Sequence, residues 1–148
     1  MQEVSRPSLL VTSDRMNSYT YSCTVPFHLS DPAGILFFGH AFTLFHQGFE
    51  HFVTEHLKCP WKEWFQNPLW FVPIKHAEAE YMLPVHAGQE CHLDMKLASF
   101  SNSSMTMQSV LRQKEVCCLI KTVHVFCDKK AQKKIAIPEN VLSSLRKV

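Results

Sequence analysis

No stretch of this chain approaches the 18 consecutive apolar residues that a membrane-crossing helix needs. Leu9-Leu10-Val11 is also too short for a secretory core and has no small-residue cleavage pattern after it. The six cysteines, Cys23, Cys59, Cys91, Cys117, Cys118 and Cys127, form no C-x-x-C pair, and several fall at apolar strand positions. They are expected to be reduced thiols packed as small hydrophobes, in keeping with the cytoplasm. Nine histidines include no H-E-x-x-H and no Cys/His finger spacing, so no metal is expected. A phosphate-cradling loop, a Ser-nucleophile elbow and a flavin fingerprint are all missing. With a net charge of only +2, and basic residues not interleaved with aromatics on one face, nucleic acid is excluded as a partner. The one basic cluster, Lys129, Lys130, Lys133 and Lys134, reads as a solvated turn, with contact to a phosphate-bearing ligand as the alternative.

What is present suits one domain: 148 residues, 46 % hydrophobic, enough for one core. Residues 1–15 read as a flexible N-terminal extension, and 16–148 as the folded domain. Tyr19 to Phe27 alternates apolar and polar side chains with the period of a strand. Ala41, Leu44, Phe45, Gly48, Phe49, Phe52, Val53 and Leu57 then recur at steps of three and four, one apolar stripe on a helix over 40–57. Gly48 in mid-helix is expected where another backbone comes close. After Cys59-Pro60 an irregular aromatic connection is expected over 60–70. Strand periodicity follows over 71–83, 90–99, 105–113 and 117–128, and Pro138 opens a short terminal helix. The layout is α+β: one long helix wrapped by a curved antiparallel sheet of about five to six strands. Such a sheet leaves open edges, which pairing between subunits would cover.

The most informative segment lies between the first strand and the helix, Asp31-Pro32-Ala33-Gly34-Ile35-Leu36-Phe37-Phe38-Gly39-His40. Pro32 fixes φ, Gly34 can take the positive φ of a tight turn, and Asp31 projects beside it. The next amides, near Phe38 and Gly39, begin a helix and have no carbonyl four residues back. A carboxylate facing free N–H donors outlines an acyl-transfer site. Asp31 could attack a thioester or activate water; the residues leave both routes open. Phe37 and Phe38 would partly desolvate it. His46 and Glu50 share a helix face four residues apart, either reaching an acyl pocket or forming a structural polar pair. His76, Glu78 and Glu80 on one strand face read as solvated or interfacial rather than catalytic.

These residues resemble the 4-hydroxybenzoyl-CoA thioesterase family, which has the hotdog fold. The similarity runs over nearly all of residues 19–142 and is sharpest at Ser30 to Phe38, which resembles that family's D-x-A-G signature. The resemblance implies a catalytic role for Asp31 and an oxyanion-binding peptide N–H at Phe38. His46 enters as a further catalytic candidate, and Gly34, Phe37, Gly39, His40 and Glu50 enter as substrate-binding ones. Two further stretches, Phe45 to Glu50 and Phe71 to Ala77 with Pro84 to Gly88, are similar to the subgroup hydrolysing 1,4-dihydroxy-2-naphthoyl-CoA, a step of phylloquinone and menaquinone synthesis. The resemblance also implies a homodimer, usually paired into a homotetramer, with the pocket between subunits. No cofactor is implied, since coenzyme A arrives as part of the substrate. Two other functions fit the same pattern: hydrolysis of an aliphatic acyl-CoA or acyl carrier protein thioester, and non-catalytic acyl-CoA binding. The last draws on the Ser101–Ser104 turn, which has none of the basic residues that grip CoA phosphates in the 4-hydroxybenzoyl enzyme.

Overall fold

The computed structural model describes residues 17–148; the expected extension over 1–15 lies outside them. Strand β1 (Tyr19–Thr24) leads through a 3-10 turn (Phe27–Leu29) to helix α1 (His40–His51). The helix continues as a π-helical turn over Phe52–His56, then comes α2 (Trp61–Phe65). Strands β2 (Trp70–Phe71), β3 (Ile74–Tyr81), β4 (Glu90–Phe100), β5 (Ser104–Arg112), β6 (Val116–Val125) and β7 (Cys127–Asp128) follow, and α3 (Glu139–Leu145) ends the chain. Five strands form one sheet in the order β1-β4-β5-β6-β3, with every neighbouring pair antiparallel. β2 and β7 make a separate two-stranded pair. This is the α+β wrap expected from the sequence. No helix among the described residues is long and apolar enough to cross a membrane.

The apolar stripe is what places α1. Ala41, Leu44, Phe45, Phe49, Phe52, Val53 and Leu57 are each at most 3 % exposed, so the whole stripe faces the sheet. Its last turn is wider than expected, because the Leu57 N–H donates to Phe52 O, five residues back, at 3.0 Å. That widening keeps Phe52, Val53 and Leu57 all turned inward. Gly48 is needed for close approach, though to side chains rather than backbone. A Cβ there would stand 3.0 Å from Met95 Sδ and 3.2 Å from Tyr21 Cδ1.

Four expected boundaries change, each for a local reason. The first strand stops at Thr24, and Pro26 then introduces the 3-10 turn. The single strand expected over 71–83 divides around Pro73, which has no N–H for the ladder; β3 begins only at Ile74. The strand expected over 117–128 breaks at Phe126, so that β7 leaves to pair with β2. The connection at 60–70 holds a helical turn, because the Pro60 carbonyl accepts from Glu63 and Trp64 N–H at 3.0 and 3.3 Å. That turn buries Trp64 edge-on against Trp70, Phe126 and Phe49.

Gly48→Ala tests how tightly the helix seats. It recovers about 1 kcal/mol of helix propensity, but the added methyl must displace Met95 or Tyr21, and overpacking of this kind costs about 1–3 kcal/mol. The expected outcome is a lower urea midpoint with an unchanged slope; a higher midpoint would show slack between helix and sheet.

Candidate active site

The Asp31 turn is held from three directions. Asp31 N–H donates to Ile35 O at 2.8 Å and Gly34 N–H to Asp31 O at 3.0 Å, which closes the turn with Gly34 at φ +77°. Inside it, Ala33 N–H donates to Asp31 Oδ1 at 2.8 Å, fixing the carboxylate's orientation. The turn sits on the 85–88 segment: Leu36 N–H donates to Val85 O at 2.7 Å and Ala87 N–H to Gly34 O at 3.1 Å. That segment is itself clamped by the Gln113 side-chain amide, which accepts from His86 N–H at 2.8 Å and donates to His86 O at 3.0 Å. One Asp31 oxygen is therefore engaged, while Oδ2 has no hydrogen-bond partner among the described residues.

Leaving this platform, Phe37 N–H still pairs with Leu29 O at 3.0 Å, and His40 N–H already pairs with Phe37 O at 2.9 Å. Between them, the N–H groups of Phe38 and Gly39 have no acceptor among the described residues. These are the donors a helix start leaves over. The peptide that carries the Gly39 N–H has its carbonyl, Phe38 O, occupied by the Tyr81 hydroxyl and by Ala41 N–H. Burial raises the Tyr81 phenol above its ordinary value, keeping it a protonated donor. Because C=O and N–H of a peptide are trans, holding Phe38 O fixes where the Gly39 N–H points. Tyr81, at the end of β3, and Gln113 were not anticipated from the sequence.

Asp31, Gly34, Phe37, Phe38, Gly39 and His40 thus occupy one continuous segment. His40 is turned to its own helix, with Nδ1 3.1 Å from Thr43 Oγ1 and its ring edge-on to Phe37. His46 and Glu50 stand apart from this group, His46 roughly 9 Å beyond His40 along α1. Glu50 accepts from Trp61 Nε1 at 2.8 Å, tying α2 to α1, and lies 3.9 Å from His46 Nδ1. His46 opens instead onto a cavity of about 220 Å³, shared with Phe49, Trp64, Phe65, Ile74 and His124. His124 is 1 % exposed, stacks on Phe49 at 4.7 Å and has Nε2 2.8 Å from Thr122 Oγ1.

Both layout and sequence have known counterparts. Residues 25–145 match the family model described as "Thioesterase-like superfamily". The chain belongs to the thioesterase-like superfamily. A 1,4-dihydroxy-2-naphthoyl-CoA hydrolase from Microcystis aeruginosa is 26 % identical over 113 residues, covering 76 % of this chain and 81 % of the relative. Another from Nostoc punctiforme is 25 % identical over 130 residues, covering 86 % of each. The crystal structure of a 1,4-dihydroxy-2-naphthoyl-CoA thioesterase from Synechocystis superposes with a TM-score of 0.81 at 17 % identity, over 88 % of this chain and 97 % of that one. The hotdog fold is therefore this chain's fold, and its enzyme class is thioester hydrolase.

Burial, with a smaller push from His46, brings the His124 imidazole down to about 4. The unfolded chain takes up that proton near pH 6.5 and the folded one does not, so stability must fall as pH drops from about 6.5 toward about 4. Folding stability across this window, from urea midpoints, is expected to decline, and His124→Phe to flatten the decline. Some slope would remain, because burial also lowers His56. An unaltered slope in the variant would show that His124 titrates normally.

Proposed function

We propose that the protein hydrolyses an aromatic acyl-CoA, with 1,4-dihydroxy-2-naphthoyl-CoA the acyl group favoured by its relatives. One observation carries the reading: two adjacent amides without an acceptor among the described residues, Phe38 and Gly39, directly follow the hairpin that presents Asp31. A thioester carbonyl set against them gains two donors. Both hydrogen bonds strengthen as the oxygen becomes an alkoxide, and a single such donor is worth about 2.7–4 kcal/mol in known acyl-transfer sites. Asp31 either takes a proton from the attacking water or itself adds to the carbonyl, giving an anhydride that water then opens. Collapse of the tetrahedral adduct expels the CoA thiolate, a far weaker base than an alkoxide or amide anion, so no strong acid is required. Tyr81 acts one step back, by holding the peptide that aims the Gly39 N–H. His40 and Gly34 frame the segment, and Phe37 and Phe38 are 46 % and 65 % exposed, able to cover a substrate.

Two copies fit this reading better than one. Among the described residues β3 pairs only with β6, which leaves its other edge open, and it is exposed along nearly its whole length. Exposed Phe37, Phe38, Ile74, Tyr81, Met82 and Leu83 lie on or beside it. An antiparallel pairing of β3 with β3 of a second copy would continue the sheet and cover this surface. It would also bring the Tyr81 end of one strand, beside Phe38, to the Ile74 end of the other, beside the aromatic cavity. A tetramer would be two such dimers. All six cysteines are unpaired, in keeping with the reducing cytoplasm.

Release of free thiol from a panel of aromatic and aliphatic acyl-CoAs tests the assignment. Wild type is expected to prefer aromatic thioesters, Asp31→Asn to lose about 10²–10⁴ in kcat, and Tyr81→Phe about tenfold in kcat with little change in KM. Equal rates for Asp31→Asn would remove Asp31 from the chemistry, and exclusive turnover of aliphatic thioesters would remove the aromatic substrate.

Mixing tests the paired site. Unfolding and refolding Asp31→Asn together with Ile74→Trp, which fills the cavity mouth, is expected to restore activity that neither variant has alone. Restoration requires carboxylate and cavity to come from different chains; a mixture as inactive as its parts would place both in one chain.

A further inference from the structure

The aromatic cavity contains a polar group that its structural neighbours do not satisfy. His124 sits on the inward face of β6 beside the buried Thr122, and is itself almost wholly buried. Its Nε2 is engaged by Thr122 Oγ1 at 2.8 Å, and its ring is fixed flat against Phe49. The other ring nitrogen, Nδ1, has no hydrogen-bond partner among the described residues. Nδ1 is not among the fully occluded, unpartnered side-chain atoms of the described residues, which are His56 Nε2 and Ser109 Oγ, and His124 lines the cavity. An imidazole nitrogen left open at a cavity wall is a costly arrangement unless something enters to pair with it.

We infer that His124 is a specificity-determining residue: its free ring nitrogen pairs with a hydroxyl on the aromatic acyl ring that occupies the cavity. The inference rests on the acyl-CoA reading above and deepens it. The walls Phe49, Trp64, Phe65 and Ile74 suit a flat apolar ring. An apolar cavity of about 150 Å³ holds a benzene, so the roughly 220 Å³ here suits one substituted ring or two fused ones and excludes the bulk of CoA. A hydroxyl is matched because it both donates and accepts, and so pairs with Nδ1 whichever tautomer Thr122 selects. Aliphatic chains offer that nitrogen nothing. His46, which also lines the cavity, is half exposed and within reach of solvent, so the discrimination falls on His124.

Paired substrates that differ by one oxygen provide the test. kcat/KM is measured for 2-naphthoyl-CoA and 4-hydroxy-2-naphthoyl-CoA with wild type, His124→Phe and Thr122→Val. Wild type is expected to favour the hydroxylated thioester at least tenfold. His124→Phe, which keeps a flat ring and removes both nitrogens, should bring the ratio close to one; Thr122→Val, which frees the imidazole to turn, should lower it about threefold. A wild type without preference, or a His124→Phe enzyme that retains it, would overturn the inference while leaving the hydrolase intact. Should His124→Phe fail to fold, a Thr122→Val ratio equal to wild type overturns it alone. Calorimetric titration with the free acids, 4-hydroxy-2-naphthoic and 2-naphthoic, reads the pocket without catalysis. Tighter binding of the hydroxy acid by a wild type that hydrolyses no thioester would keep the pocket and discard the hydrolase; equal binding of the two acids would discard the pocket.

Discussion

The hydrogen-bonded clamp between the Asp31 hairpin and the 85–88 segment is the constraint on which the site depends. A turn containing Pro32 and Gly34 is a weak structure in isolation, since four residues cannot hold a carboxylate in place against solvent. Here its backbone is bonded to Val85 and Ala87, and those residues are steadied by Gln113 from the end of β5. The same clamp determines which amides remain unpaired. Leu36 and Phe37 spend their N–H groups on Val85 and Leu29, so the chain enters α1 with its first free donors at Phe38 and Gly39. Carboxylate and donors are thereby fixed relative to one another by backbone bonds that the Gln113 and Tyr81 side chains steady, a rigid arrangement suited to charge that the proposed reaction would develop only in its transition state.

The helix stripe and this clamp solve different problems and leave different traces in the sequence. Eight apolar residues at helical spacing need no partner to be recognised, and every one of them turns inward. The Asp31 turn was equally legible, because Pro and Gly act through their own φ preferences. Tyr81 was not, for its role depends on where a strand 43 residues away happens to end. Gln113 escaped for the same reason. Its amide matters only through the His86 peptide it bridges, and nothing in a polar residue at a strand end marks that. His124 left at most a faint trace: an imidazole two residues after Thr122 in a mostly apolar strand reads equally as a satisfied core residue until the cavity beside it is seen.

Boundaries failed where local and long-range preferences diverge. The alternation over 71–83 is real, but Pro73 cannot donate and the strand restarts after it. Aromatic residues over 61–65 carry no helical period, yet Pro60 offers its carbonyl to two amides, and burial of Trp64 between Trp70 and Phe126 stabilises the turn. Even at Gly48, where another backbone was expected to come close, the close neighbours are the sulfur of Met95 and the ring of Tyr21, partners that pattern alone could not name.

A single chain of this fold carries an imbalance that argues for a second copy on physical grounds. Large apolar side chains usually sit inside, yet Phe37, Phe38, Ile74, Tyr81, Met82 and Leu83 all lie more than a third exposed around one unpaired strand edge. Isolated in water, that edge is a template for uncontrolled association. Charged residues on the strand, among them Lys75, Glu78 and Glu80, oppose random stacking, but a two-fold pairing can place opposite charges across the seam. Self-pairing would remove both problems at once, and it would enclose the donor amides in an apolar crevice. On the proposed reading those amides would act on a thioester oxygen far more strongly where water is excluded than where it competes, so that one surface would serve both assembly and catalysis.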